Sequence, residues 1–159
     1  MAEKLKGQTL CFYNPPEIIS WGTIVGPEES RGPLGNLFDL SYEDAKFGEK
    51  TWEKGEQKMV SEVINYTLGE ASLSPKDIDL MLGGDFQNQI VNSNYVARDY
   101  QIPYLGLYSA CSTIIEALGV AGLIMDGGFA DCVLTFGSSH YQTAERVFRT
   151  PLEYGDHYP

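Results

Sequence analysis

The chain has 159 residues, 43% hydrophobic and 21% charged, enough for one globular domain with a real core and unlike a disordered or peptide-sized scaffold. Twenty-two acidic against 11 basic residues give a formal charge of −11, and its lysines alternate with acids or stand apart, which argues against a nucleic-acid partner. Three cysteines, Cys11, Cys111 and Cys132, contain no CxxC pair and leave one unmatched, against a disulfide framework or zinc cluster and in favour of a reducing compartment.

The opening MAEKLKGQTLCFYNPP is polar and reaches Pro15 without an apolar core, so no secretory signal is expected. The β-branched stretch EIISWGTIV, 17–25, predicts a strand ended by Gly26 and Pro27. Residues 26–50 are rich in Gly, Pro and acids without a clean period, an extended loop with room for a short helical turn. Thr51 can cap a helix that continues through Leu68, with Trp52, Met59, Val63 and Tyr66 near one face. A turn at Ser74 and Pro75 leads to a strand from Ile78 to Leu82, halted by Gly83 and Gly84. A helix is expected over 88–99, stopped at Ile102–Pro103, and a short strand buried on both faces over 104–108.

From Ser112 to Asp126 the chain is apolar on almost every side, which predicts a helix buried all round. Its apolar run is interrupted by Glu116 and shorter than the roughly 20 residues of a spanning helix, so membrane contact is expected only through a partner. Residues 131–139, DCVLTFGSS, give the last strand, and the segment after Ser139 has mixed character. Strands alternating with helices define an α/β class, βαβαβαβ, with a mostly parallel sheet, right-handed crossovers and a buried central helix.

Cys111 falls where the strand at 104–108 turns into the apolar helix, and helix N-terminal N–H groups can stabilise a thiolate or an oxyanion there. The residues alone leave open a nucleophile, a pocket residue or a small buried core residue. A nucleophile needs a proton-transfer partner, and the chain holds two histidines. His140 follows the last strand in GSSH, near the sheet edge where α/β ligands bind, while His157 stands in the final segment. A structural role suits His140 better than a general base, because no spacing pairs it with Cys111. GGDFQNQ, 83–89, brings a carboxylate and three amides to a strand end: a polar ligand site, or turn chemistry with Asp85 or Asn88 capping the next helix. No GxGxxG or GxxxxGK[ST] is present.

KDIDLMLGGDFQNQ, YVARDYQIPYLGLYSACSTIIEAL and MDGGFADCVLTFGSSH together resemble the N-terminal half of the thiolase-like superfamily of thiolases and ketoacyl synthases. Cys111 falls on the position of that superfamily's catalytic cysteine. Within it, GPLG, FGEKTWEKGEQKM, DFQNQI, DGGFAD and SSHYQTAERVFRTPLE resemble the sporulation family of stage V AD proteins. The resemblance implies a dipicolinic acid binding subunit of the SpoVA complex, which moves the acid, as its calcium chelate, into the developing spore. It implies a pocket carried by Cys111, Ser112, Asp85, Asn88, Ser138 and His140. The implied partners are dipicolinate and the membrane proteins of that complex, with a homodimer as in other thiolase-like folds, at the spore inner membrane. No cofactor or resident metal is expected: calcium enters as the dipicolinate chelate, and acyl-CoA only if Cys111 is an acyl-transferring nucleophile. A scaffold with a vestigial pocket is a third reading.

The family continues for about as many residues again, as a second pseudo-symmetric half that completes the pocket. Residues 1–159 are therefore expected to be a truncated N-terminal domain with an exposed sheet edge, prone to association.

Overall fold

The computed structural model describes residues 3–5, 7–87 and 90–144. Two short pairs precede the main sheet. β1 (Glu3–Lys4) pairs antiparallel with β2 (Leu10–Cys11), and β3 (Ile24–Val25) pairs parallel with β4 (Leu40–Ser41). Between β3 and β4 lie a one-turn helix α1 (Pro27–Ser30) and a tight helical turn at Gly35–Leu37.

The strand expected over 17–25 is thus reduced to its last two residues. Ile18, Ile19 and Trp21 are exposed, and no neighbouring strand takes their backbone bonds. β-branched composition favours a pleated surface, but pairing requires a partner edge, and the segment meets one only at Leu40–Ser41.

The central unit is a three-stranded parallel sheet in the order β6–β5–β7, built from β5 (Leu80–Gly84), β6 (Tyr104–Gly106) and β7 (Val133–Gly137). Gly83 and Gly84 do not halt β5 but form its last two rungs. A Cβ on Gly83 would lie 2.2 Å from the Phe136 carbonyl oxygen, and one on Gly84 would lie 1.9 Å from that of Leu107. Here glycine permits close approach of neighbouring strands rather than a turn.

Helix α2 (Trp52–Glu70) starts as its sequence predicts, with the Thr51 hydroxyl accepting from the Lys54 N–H. Its buried face is Met59, Val60, Ile64 and Leu68, rotated from the expected one; Val63 and Tyr66 are only half-buried. Helix α3 (Val91–Tyr100) adds Val96 and Ala97 to the same core, with Met81 of β5 and Leu134 and Phe136 of β7. Side chains alternate along a strand, so Leu82 faces the other way, onto Ala117 and Ala121 of α4 (Thr113–Asp126). The result is a layered α/β unit with α2 and α3 on one face of the sheet and α4 on the other.

The expectation that α4 is buried all round is not met. Thr113, Ala117, Ala121, Gly122 and Asp126 are buried, whereas Ile115 is 67% exposed and Leu118 and Leu123 are exposed. Only the small-residue stripe of this helix has a sheet to lie on. Gly122 and Asp126 are covered instead by Phe12 and Asn14 of the N-terminal segment, and Ile115, Leu118 and Leu123 stay exposed in this unit.

Because all three strands run parallel, their carboxyl ends share one edge. Three loops meet there: 85–87 after β5, 107–112 after β6 and 138–140 after β7. Ligands of open α/β sheets bind at that edge.

Candidate functional site

After β6 the chain makes a sharp elbow. Ala110 has a φ of +47°, the left-handed region that costs a residue with a Cβ about 1–2 kcal/mol, and a single helical turn at Ala110–Ser112 leads into α4. Local hydroxyls hold this strain. Thr113 Oγ1 donates to the Ala110 carbonyl at 2.9 Å and accepts from the Ser109 N–H at 3.2 Å. Ser112 Oγ donates to the Ser109 carbonyl at 2.7 Å and lies 2.6 Å from Ser109 Oγ. The elbow leaves Cys111 exposed, so it is not a core residue.

Cys111 lines a recess of about 200 Å³ with Phe86, Thr113, Ile114, Ser138 and Ser139. Ser138 also lines a larger, mostly apolar cavity of about 800 Å³, whose wall includes Val25, Phe38, Phe47, Val60 and His140. Ser138 therefore sits between two hollows, one with the cysteine and one with the histidine.

The six expected pocket residues consequently separate. Cys111 and Ser138 come together in the recess. Ser112 serves the elbow through its bonds to Ser109. His140 is buried, its Nε2 2.6 Å from the Ala45 carbonyl oxygen and its ring 5.5 Å from that of Trp52. A carbonyl only accepts, so Nε2 carries the proton, which leaves Nδ1 buried without a partner. Asn88 lies outside the described residues.

Asp85 is 0% exposed and is held by the fold around it. One carboxylate oxygen accepts from the Gln87 N–H at 2.9 Å, and the other from the N–H and hydroxyl of Ser93 at 2.7 and 2.6 Å. It organises the turn from β5 into α3, where Ile90 is forced to a φ of +46° and packs over Gly84 and Gly106. This is the turn-and-cap alternative for Asp85, and it places the carboxylate behind the site rather than in it.

Glu56 is the residue that sequence reasoning missed. It is 1% exposed in the second turn of α2, beneath the loop that follows β7. Ser138 Oγ donates to its Oε1 at 2.8 Å, while Asn92 Nδ2 and Thr143 Oγ1 reach its Oε2 at 2.7 and 2.9 Å. Burial pushes its carboxyl above the usual range, opposed by the Ser138 bond, reinforced by the nearby charge of Asp85 and again opposed by Thr143 and Asn92. A signal was available: Glu56 is four residues after Trp52 and three before Met59, on an otherwise apolar stripe. Acids at such positions are buried only when donors meet them.

Among the described residues no cluster of three or more His, Cys, Asp or Glu could hold a metal ion, and no helix is long and apolar enough to cross a membrane.

A parallel sheet covered by helices on both faces, with a cysteine on a strained elbow at its carboxyl edge, defines a thiolase-like unit. The solved structure of 3-oxoacyl-[acyl-carrier-protein] synthase III from Aquifex aeolicus VF5 superposes with a TM-score of 0.50 over 55% of this chain and 30% of that one, at 25% identity. The family of stage V sporulation protein AD matches residues 6–159, and the chain belongs to that family. It is 46% identical over 157 residues to stage V sporulation protein AD of Bacillus subtilis (strain 168), covering 98% of this chain and 46% of that one. The chain thus spans about half the length of the curated relative it matches.

Proposed function

We propose that this chain forms the cysteine-bearing part of a dipicolinate-binding protein that serves a spore-membrane transport complex. The observation that carries the reading is the recess itself: an exposed cysteine at a helix start, bordered by serine and threonine hydroxyls, while the histidine nearest in sequence is turned to the Ala45 carbonyl. The Thr113 and Ser138 hydroxyls donate to the Ala110 carbonyl and to Glu56, which leaves the exposed Ser139 hydroxyl and helix N-terminal amides as the neutral donors that suit the carboxylates of a planar aromatic diacid. The net charge of −11 gives such a dianion no long-range attraction, so recognition rests on these local groups, or on the uncharged calcium chelate. Membrane proteins of the transport complex and a second copy of the chain are the partners this reading entails.

Titration calorimetry with dipicolinate, with and without calcium, tests the proposal. Saturable heat that is weakened by Cys111→Trp, which fills the recess, is the expected result; no heat in either condition refutes it.

The elbow favours one second reading, acyl transfer with Cys111 as nucleophile, because the strained Ala110 presents the sulfur to solvent. Incubation with an acyl-CoA followed by mass spectrometry separates the two. A Cys111 adduct that turns over supports catalysis, and an unmodified cysteine supports binding.

A further inference from the structure

Around Glu56, hydroxyl protons are fewer than their acceptors. Ser138 Oγ has one proton and gives it to Glu56 Oε1. Thr143 Oγ1 also has one, yet lies 2.9 Å from both Glu56 Oε2 and the His140 carbonyl oxygen. That carbonyl already accepts from the Ala144 N–H at 3.0 Å, so Thr143 is free to serve the carboxyl. Asn92 completes the set and is itself fixed by Gln57 Nε2 at 3.0 Å.

Two protonation states fit this one arrangement of heavy atoms. With Glu56 ionised, Ser138 must point its proton inward, and only its lone pairs remain for the recess. With a proton on Oε1, Glu56 becomes the donor to Ser138 Oγ, and the Ser138 proton rotates outward, while Asn92 and Thr143 still satisfy Oε2. A carboxylate in the recess is repelled by the first state and hydrogen-bonded by the second.

We infer that Glu56 is a positioning residue of this site: through its bond to Ser138 it decides whether the recess offers a lone pair or a proton, so that a bound carboxylate draws one proton from water onto Glu56. The inference rests on the dipicolinate reading and adds its regulation. In the balanced step, a solvent proton joins the Glu56 carboxylate, the Ser138 hydroxyl turns, and no covalent bond to the ligand forms.

The surroundings agree with it. Asp85, from the turn between β5 and α3, is the charged group facing Glu56, and its negative charge favours the protonated form. Asn92 of α3 and Thr143 are neutral. One turn earlier on α2, Trp52 meets the His140 ring, with its Nε2 proton committed to Ala45, and Lys46 Nζ lies 4.6 Å over the indole.

Calorimetry of dipicolinate binding to the full chain, repeated from pH 6 to 9 in two buffers of different ionisation enthalpy, counts the protons taken up. The ligand's own carboxylates stay ionised in this range. Uptake approaching one proton is expected, with affinity falling by up to tenfold per pH unit above the Glu56 titration. Glu56→Gln and Ser138→Ala should each abolish both the uptake and the slope. If the glutamine variant does not fold, the wild-type proton count and Ser138→Ala still decide. Binding without uptake, or uptake unchanged in either variant, overturns the role of Glu56 and leaves dipicolinate binding standing. No binding at any pH overturns both.

Discussion

Asp85 and Glu56 are two buried acids of the same edge that do different work. Asp85 receives three short bonds, one from Gln87 of its own turn and two from Ser93 of α3, so its charge is consumed by the fold. Replacing it with Ala strands the Ser93 hydroxyl and two backbone N–H groups in the interior. Asp85→Ala should therefore cost about 3 kcal/mol or more, and Asp85→Asn less, because an amide oxygen still accepts. Urea unfolding of the two variants checks the order, and equal losses would show that the bonds to Ser93 carry little of the stability. Asp85 was legible in the sequence as a cap or ligand because a carboxylate followed two glycines at a strand end. Glu56 was legible only as an acid on an apolar stripe and not as a site residue, since its donors come from α3 and from the segment after β7, 36 to 87 residues away.

Helix α4 has two unlike faces. Ala117 is fully buried over Leu82, where extra methylenes would press on the sheet. Ala117→Leu should destabilise by roughly 1–3 kcal/mol through overpacking. Ile115, on the open face, should tolerate Ser within about 0.5 kcal/mol. Chemical denaturation of both variants tests this, and a large loss at Ile115 would mean that its face is covered in solution. The helix itself was plain in the sequence; which of its apolar sides met the sheet was not, because every side carried the same chemistry. The same limit applies to 17–25, where β-branched residues announced a strand but not the absence of an edge to pair with.

At the scale of the whole molecule, opposing titrations define a pH window. Asp39, Asp44, Asp77 and Asp79 are held below the usual range by hydrogen bonds, led respectively by the Thr23 hydroxyl, the Lys46 N–H, the Ser74 hydroxyl and the Cys132 N–H. Such groups contribute stability above their unfolded pKa and lose it as pH falls through the lowered folded value. Glu56 works in reverse. Raised by burial, it contributes fully below its unfolded pKa, and that contribution is lost as pH rises through the folded value. Stability should peak between the unfolded Asp and Glu ranges and decline as pH rises from the unfolded Glu56 value through its raised folded value. In Glu56→Gln this upper decline should flatten while the acid decline persists, as read from urea midpoints across pH; an unchanged upper limb would remove Glu56 as its cause.

By itself the sequence determined the α/β class, the start of α2 at Thr51, the approximate positions of β5, β6 and β7, and the place of Cys111 between strand and helix. These follow from local patterns: period, caps, and the spacing of Gly and Pro. Tertiary structure alone decided that Gly83 and Gly84 lie inside a strand, that Asp85 is spent on its turn, and that a glutamate of α2 supports the serine beside Cys111. Those outcomes depend on which distant backbone or donor arrives at a given side chain, and a one-dimensional pattern does not contain that meeting.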